Sequence, residues 1–133
     1  MPILTASCAQ GPGAICHGDP SDTDAGATGG LPRLYLGPPP PTGTTDPTVI
    51  ATIYQGLLGK STEDTSLDVV DPGNPGQSYL IDKLTNNLSS LTCSNPALMP
   101  QPCGYQMPEL ETALSASQIQ MFENWITQGA PNN

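Results

Sequence analysis

Four cysteines, one histidine and four methionines are the residues of this chain equipped to hold a metal or a covalent group. Cys16 stands directly before His17, the sole histidine. A Cys-His pair is the second half of a haem c attachment motif, in which the cysteine sulfur bonds to a haem vinyl group and the adjacent imidazole ligates the iron. Cys8, upstream, is the candidate for a second thioether. Seven residues, Ala9 to Ile15, separate the two cysteines, a wider gap than the usual C-x-x-C-H motif has. Gly11-Pro12-Gly13 allows the extra residues to loop outward, because Gly accepts positive φ and Pro sets a turn, so both sulfurs can reach one porphyrin edge. Two alternatives stay open: a single thioether through Cys16 with Cys8 elsewhere, or a Cys8–Cys16 disulfide beside an ordinary exposed His17, as in small secreted domains.

On the distal side, Met107-Pro108 lies in a loop shortly before the last predicted helix, where its thioether sulfur can swing over a haem face. His/Met ligation raises the reduction potential and leaves no open position for substrate, which suits electron transfer rather than oxygen chemistry. Met107 is the expected axial ligand and Met99-Pro100 its competitor, while Met121 reads as core filler on the last helix. Cys93 and Cys103 enclose nine residues rich in Pro, so a disulfide tying down the methionine loop is expected. A four-cysteine zinc site needs paired spacings such as C-x₂-C, which this sequence lacks.

The elements that must position these groups are short. Residues 2 to 10 are compatible with an opening helix that delivers Cys8, with Pro2 tolerated in its first turn. Residues 11 to 45 are dominated by Gly, Pro, Ser, Thr and Asp, including the run Pro38 to Pro41, and read as loop with a brief extended piece at Leu34-Tyr35-Leu36. Asp46-Pro47 marks a helix start, as N-cap and N1, followed by Val49, Ile50, Ile53 and Leu57 at helical spacing and Gly59 as C-cap. After the turn-rich Asp71-Pro72-Gly73-Asn74-Pro75-Gly76, Tyr79, Leu80, Ile81 and Leu84 predict a short helix over 77–84. Ser115 to Gln118 forms a capping box before Ile119, Phe122, Trp125 and Ile126, and Gly129 closes that last helix. Ile50, Ile53, Leu57, Leu80, Leu84, Phe122 and Trp125 are candidate pocket walls, or ordinary core.

Only 36% of the 133 residues are hydrophobic, against 16 Pro and 14 Gly, so one domain spanning 1–133 must form around a sparse core. A buried flat cofactor or disulfides would supply the missing constraint. Three basic residues against 12 acidic ones give a net charge of −9. That charge argues against nucleic acid and anionic lipid surfaces as partners and favours encounters with basic redox partners. Arg33 and Lys60 read as solvated, with haem propionates as the alternative. No stretch approaches the roughly 18 consecutive apolar residues of a membrane span, and the first residues lack the n- and h-regions of a signal peptide. The chain therefore reads as a mature form whose secretion signal has been removed or replaced.

The order of segments resembles the Planctomycete-type cytochrome c domains and the related single-haem domains of myxobacterial secreted proteins. The likeness runs through Ala6-Ser7-Cys8, Cys16-His17-Gly18, Leu34-Tyr35-Leu36, Val69 to Pro75 with Ser78-Tyr79-Leu80 and Lys83-Leu84. It resumes at Cys103-Gly104, Met107-Pro108, Leu114-Ser115, Ile119 and Trp125-Ile126 to Gly129-Ala130. The resemblance implies an all-α, cytochrome c-like fold of about four short helices around one haem c, with His17 proximal and Met107 distal. It also implies haem attachment in the periplasm or outside the cell, and electron transfer as the activity; the longer Cys8–Cys16 gap departs from the family pattern.

An enzyme is not expected, because no second histidine and no persuasive carboxylate pair is present. The rival reading is a haem-free, disulfide-stabilised secreted binding or structural module with bridges Cys8–Cys16 and Cys93–Cys103. Self-assembly through the Pro-rich loop is a third reading that no feature of the sequence requires.

Overall fold

A computed structural model describes His17 and residues 34–36, 46–93, 103–108 and 112–132. The predicted opening helix, the Gly11-Pro12-Gly13 turn, Arg33 and the run Pro38 to Pro41 lie outside the described residues, as do Cys8, Cys16 and Met99. Contacts divide the chain between Gly56 and Leu57 into two units. Among the described residues there are three α-helices and no strand, compatible with an all-α chain.

Helix α1 spans Pro47–Leu57, all but its last residue in the first unit, and begins as its residues dictate. Asp46 Oδ1 accepts from the Thr48 N–H at 2.8 Å, and the Asp46 carbonyl takes the first helical bond from Ile50 at 3.0 Å. Pro47 occupies the turn where a missing N–H costs nothing. The helix stops at Leu57, short of the predicted cap, and the Gly59 carbonyl instead accepts from Val69 N–H at 2.8 Å. Ile50, a candidate pocket wall, is 37% exposed.

The second unit is built on α2 (Tyr79–Thr85) and α3 (Ala116–Thr127), which pack together, with 3-10 turns at Pro75–Gln77 and Leu88–Ser90. The α2 span begins two residues later than the spacing predicts, because residues 75–77 wind as the tighter turn. Seven residues are too few for a helix to stand alone, and its open N–H groups are met by a crossing segment rather than by a side-chain cap. Tyr79 N–H donates to Asp68 at 3.0 Å and Leu80 N–H to Val69 at 2.9 Å. Isolated bridges Lys60–Asp68 and Asp68–Ser78 tie the same crossing together, with a 3.0 Å ion pair between Lys60 Nζ and Asp68 Oδ1. Ser78, at the N-cap position, spends its hydroxyl on the preceding turn: it accepts from Asp71 N–H at 2.9 Å and donates to the Asn74 carbonyl at 3.0 Å.

The capping box of α3 forms as predicted. Ser115 Oγ accepts from Gln118 N–H at 3.4 Å, and Gln118 Oε1 accepts from Ser115 N–H at 2.9 Å. Phe122 and Ile126 are the buried residues of α3, and Leu57, Val70, Leu80, Ile81 and Leu84 are buried elsewhere in the second unit. Trp125 is half-buried, its Nε1–H donating to the Pro131 carbonyl at 3.0 Å. Met121 is not core filler: it falls on the outer side of α3 and is 51% exposed. Gly129 leaves the helix at φ +90°, and its N–H returns to Ile126 at 2.8 Å while the Ala130 N–H returns to Trp125 at 2.9 Å.

Two substitutions test this helix. Gly129→Ala places a Cβ on a left-handed backbone and is expected to cost about 1 kcal/mol; Ser115→Ala, which removes the cap acceptor, is expected to cost a similar ~1 kcal/mol. Both are read from the urea midpoint at unchanged m-value, and wild-type midpoints in both would refute the assignment of the helix ends.

Candidate functional site

His17 is fastened to the segment Leu34–Leu36 at two points. Leu36 N–H donates to the His17 carbonyl at 2.8 Å, fixing the backbone. The His17 ring lies with Nδ1 2.6 Å from the Leu34 carbonyl oxygen. A carbonyl can only accept, so Nδ1 carries the proton and the neutral ring has its lone pair on Nε2. Metal-ligating histidines are oriented in this way, through a second-shell acceptor that selects the tautomer and raises ligand basicity. Leu34 is itself positioned by α1: a Cβ added to Gly56 would stand 3.2 Å from Leu34 Cδ1, so the glycine lets the helix approach this closely. The sequence marks residues 34–36 only as an extended piece; they carry no regular element, and their part is to grip the histidine.

In the second unit, Met107 sits on a loop built against the C-terminal turn of α2. The last carbonyls of a helix have no partner within it. Here Lys83 O accepts from Met107 N–H at 2.9 Å, Leu84 O from Gln106 Nε2 at 3.0 Å, and Asp82 O from Asn87 N–H at 3.0 Å. Asn86 turns the chain away from the helix in the left-handed conformation, φ 61°. The Met107–Pro108 peptide is cis, and Met107 is half-buried.

The other end of this loop is Cys103, bonded to Cys93 as the spacing predicts, with Cα atoms 5.2 Å apart. The Cys103 carbonyl accepts from two buried donors of α2: Lys83 Nζ at 2.8 Å and Tyr79 Oη at 3.2 Å. The ammonium also stands 5.8 Å from the Tyr79 ring centroid. Burial, and then the negative charge of Glu63, push the Tyr79 phenol well above its ordinary range, so it remains a donor. Residues 79 and 83 are four apart, on one helix face, and that spacing was the available signal for this pair. Their use as loop anchors was not read from the sequence.

Near Cys93, Asp64 is 4% exposed and accepts from Ser66 Oγ at 2.6 Å, Ser66 N–H at 3.1 Å and, through Oδ2, Thr92 N–H at 3.1 Å. The Ser66 hydroxyl, chiefly, holds this carboxyl below its ordinary value against the opposing effect of burial. A polar depression of about 270 Å³ borders Asp64, Asp82, Asn87 and Thr92, and neither His17 nor Met107 lines it. Among the described residues no three His, Cys, Asp or Glu side chains converge as a metal cluster, and no helix is long and apolar enough to cross a membrane. Lys60 is engaged by Asp68.

Because Asp64 has a lowered carboxyl pKa in the folded chain, its contribution to stability is complete above the ordinary value of 3.8 and is lost as pH falls through the folded value. Asp64→Asn is expected to cost about 1–3 kcal/mol at neutral pH and to flatten the loss of stability below pH 3.8, as read from urea midpoints across the acid range. An unchanged acid limb would remove Asp64 from this role. Comparison with models of protein families, with curated proteins and with solved structures finds no match, so the site stands on the geometry of this chain alone.

Proposed function

We propose that this protein is an extracytoplasmic electron carrier, not an enzyme, with one haem c attached through Cys16, ligated proximally by His17 and distally by Met107. The observation that carries this reading is the Nδ1–H donation from His17 to the Leu34 carbonyl at 2.6 Å, the orienting bond that metal-ligating histidines make. An exposed histidine of no function has no need of a donor that fixes its backbone and an acceptor that fixes its tautomer. The residue types are those an iron porphyrin takes: an imidazole oriented by a carbonyl, a cysteine directly before it, and a thioether on a loop anchored at both ends. Such a haem supplies one-electron exchange between ferrous and ferric iron.

Each chain residue then has a stated task. The Leu34 carbonyl orients the imidazole and strengthens its basicity. The 103–108 loop carries Met107, whose thioether would hold the iron and so leave no position for substrate. The charge of −9 favours basic redox partners, screened by salt beyond roughly 8–10 Å. Cys8 supplies the second thioether if residues 9–15 loop outward. A location in the periplasm or outside the cell agrees with the Cys93–Cys103 bridge, since such bonds persist in oxidising compartments. That same bridge supports the second reading, a haem-free, disulfide-stabilised secreted module with a matching Cys8–Cys16 bond.

The deciding experiment is maturation of the chain in a periplasm equipped for c-type haem attachment, followed by a reduced pyridine spectrum and intact mass. The expected result is a haem that survives acid acetone, disappears in Cys16→Ala, and loses its native low-spin spectrum in His17→Ala. Matured protein with no iron and a Cys8–Cys16 bridge would establish the second reading instead.

A further inference from the structure

We infer that Lys83 is the positioning residue for the distal loop, setting the placement of Met107 from a single point on α2. The inference rests on the electron-carrier reading for the role of Met107, but its geometry does not. Lys83 is the one described residue bonded to both ends of the loop: its ammonium donates to the Cys103 carbonyl at 2.8 Å, and its own carbonyl accepts from Met107 N–H at 2.9 Å.

A lysine is an unexpected choice for a buried position, because bringing an ammonium out of water is costly unless the charge finds strong acceptors. Lys83 is nevertheless 7% exposed. A charge-assisted bond to a carbonyl is shorter and stronger than a neutral one, and both lone pairs of the Cys103 oxygen are used, one by Lys83 and one by Tyr79. The carbonyl is therefore fixed in direction as well as in place. The disulfide alone does not do this, since it restrains the Cys103 side chain and leaves the Cys103–Gly104 peptide free to turn about it. Gly104, at φ +66°, follows directly and is the residue least able to resist such a rotation. With the peptide plane locked ahead of Gly104 and Met107 N–H bonded behind it, residues 104–106 span two fixed points on one helix turn.

The test uses the full haem-matured chain with Lys83→Met, which keeps the aliphatic stem and deletes the donor, and Lys83→Arg, which keeps a buried cationic donor. Amide exchange at Gly104 and Met107 is expected to quicken about tenfold in Lys83→Met while Phe122 and Ile126 of α3 stay within about twofold. The sulfur-to-iron charge-transfer band of the ferric protein is expected to weaken or vanish at unchanged haem content, and Lys83→Arg is expected to restore most of it. Loop amides as protected as in wild type, a full-strength band in Lys83→Met, or an equal loss of protection across the whole unit would each overturn the inference, the last by making Lys83 a general packing residue. A wild-type chain without iron, or Met107→Ala with the band intact, would instead sink the haem reading, and the exchange of Gly104 and Met107 would still decide the role of Lys83.

Discussion

A helix of seven residues that buries Tyr79, Leu80, Ile81, Lys83 and Leu84 is the constraint on which the second unit depends. In a chain with so few apolar residues, no other described helix buries so large a share of its side chains. Leu80, Ile81 and Leu84 are buried on a helix that packs against α3, whose own buried residues are Phe122 and Ile126, while Tyr79 and Lys83 reach the Cys103 carbonyl. Its backbone ends are used as fully as its side chains, with Asp68 and Val69 on its first N–H groups and the 106–107 segment on its last carbonyls. A short helix gains little from its own hydrogen bonds, so its persistence here comes from tertiary partners at both ends.

Polar groups complete a core that apolar ones cannot fill. Ser61, Asp64 and Ser78 are all buried, and each hydrogen-bonds backbone groups that lie in no helix. Ser61 Oγ accepts from the N–H groups of Glu63 and Asp64, both at 3.2 Å, and Asp64 passes the connection to Thr92. Buried polar side chains are tolerated when their bonds are complete, and they then impose geometry that packing alone leaves loose. This explains how long stretches with no helix or strand still lead to a defined loop at Met107.

What could be read from the sequence is what local chemistry decides. Asp46-Pro47 and Ser115 to Gln118 begin helices where their side chains cap, and the apolar spacing of α3 identifies its inner face. The Cys93–Cys103 bridge followed from loop length and composition. Other features depend on tertiary partners. The role of Leu34 rests on a carbonyl, which no side-chain pattern reveals. Ser78 looks like an N-cap and is used by a preceding turn. Met121 reads as core filler on the last helix, but Phe122 and Ile126 are the buried residues of α3 and Met121 lies outside. The basic residue of consequence for the loop is Lys83, absent from the candidate ligands because a lysine four residues after a tyrosine is ordinary on any exposed helix.

The doubly anchored 103–107 stretch also limits how this chain can diversify. Surface connections elsewhere in proteins accept changes of length at little cost, because their ends need only stay within reach. Here both ends are pinned to the same residue of one turn, so an added or deleted residue between Gly104 and Gln106 cannot be absorbed by slack and must detach one anchor. Descendants of this sequence are free to vary the exposed Tyr105, but not the number of residues in the span.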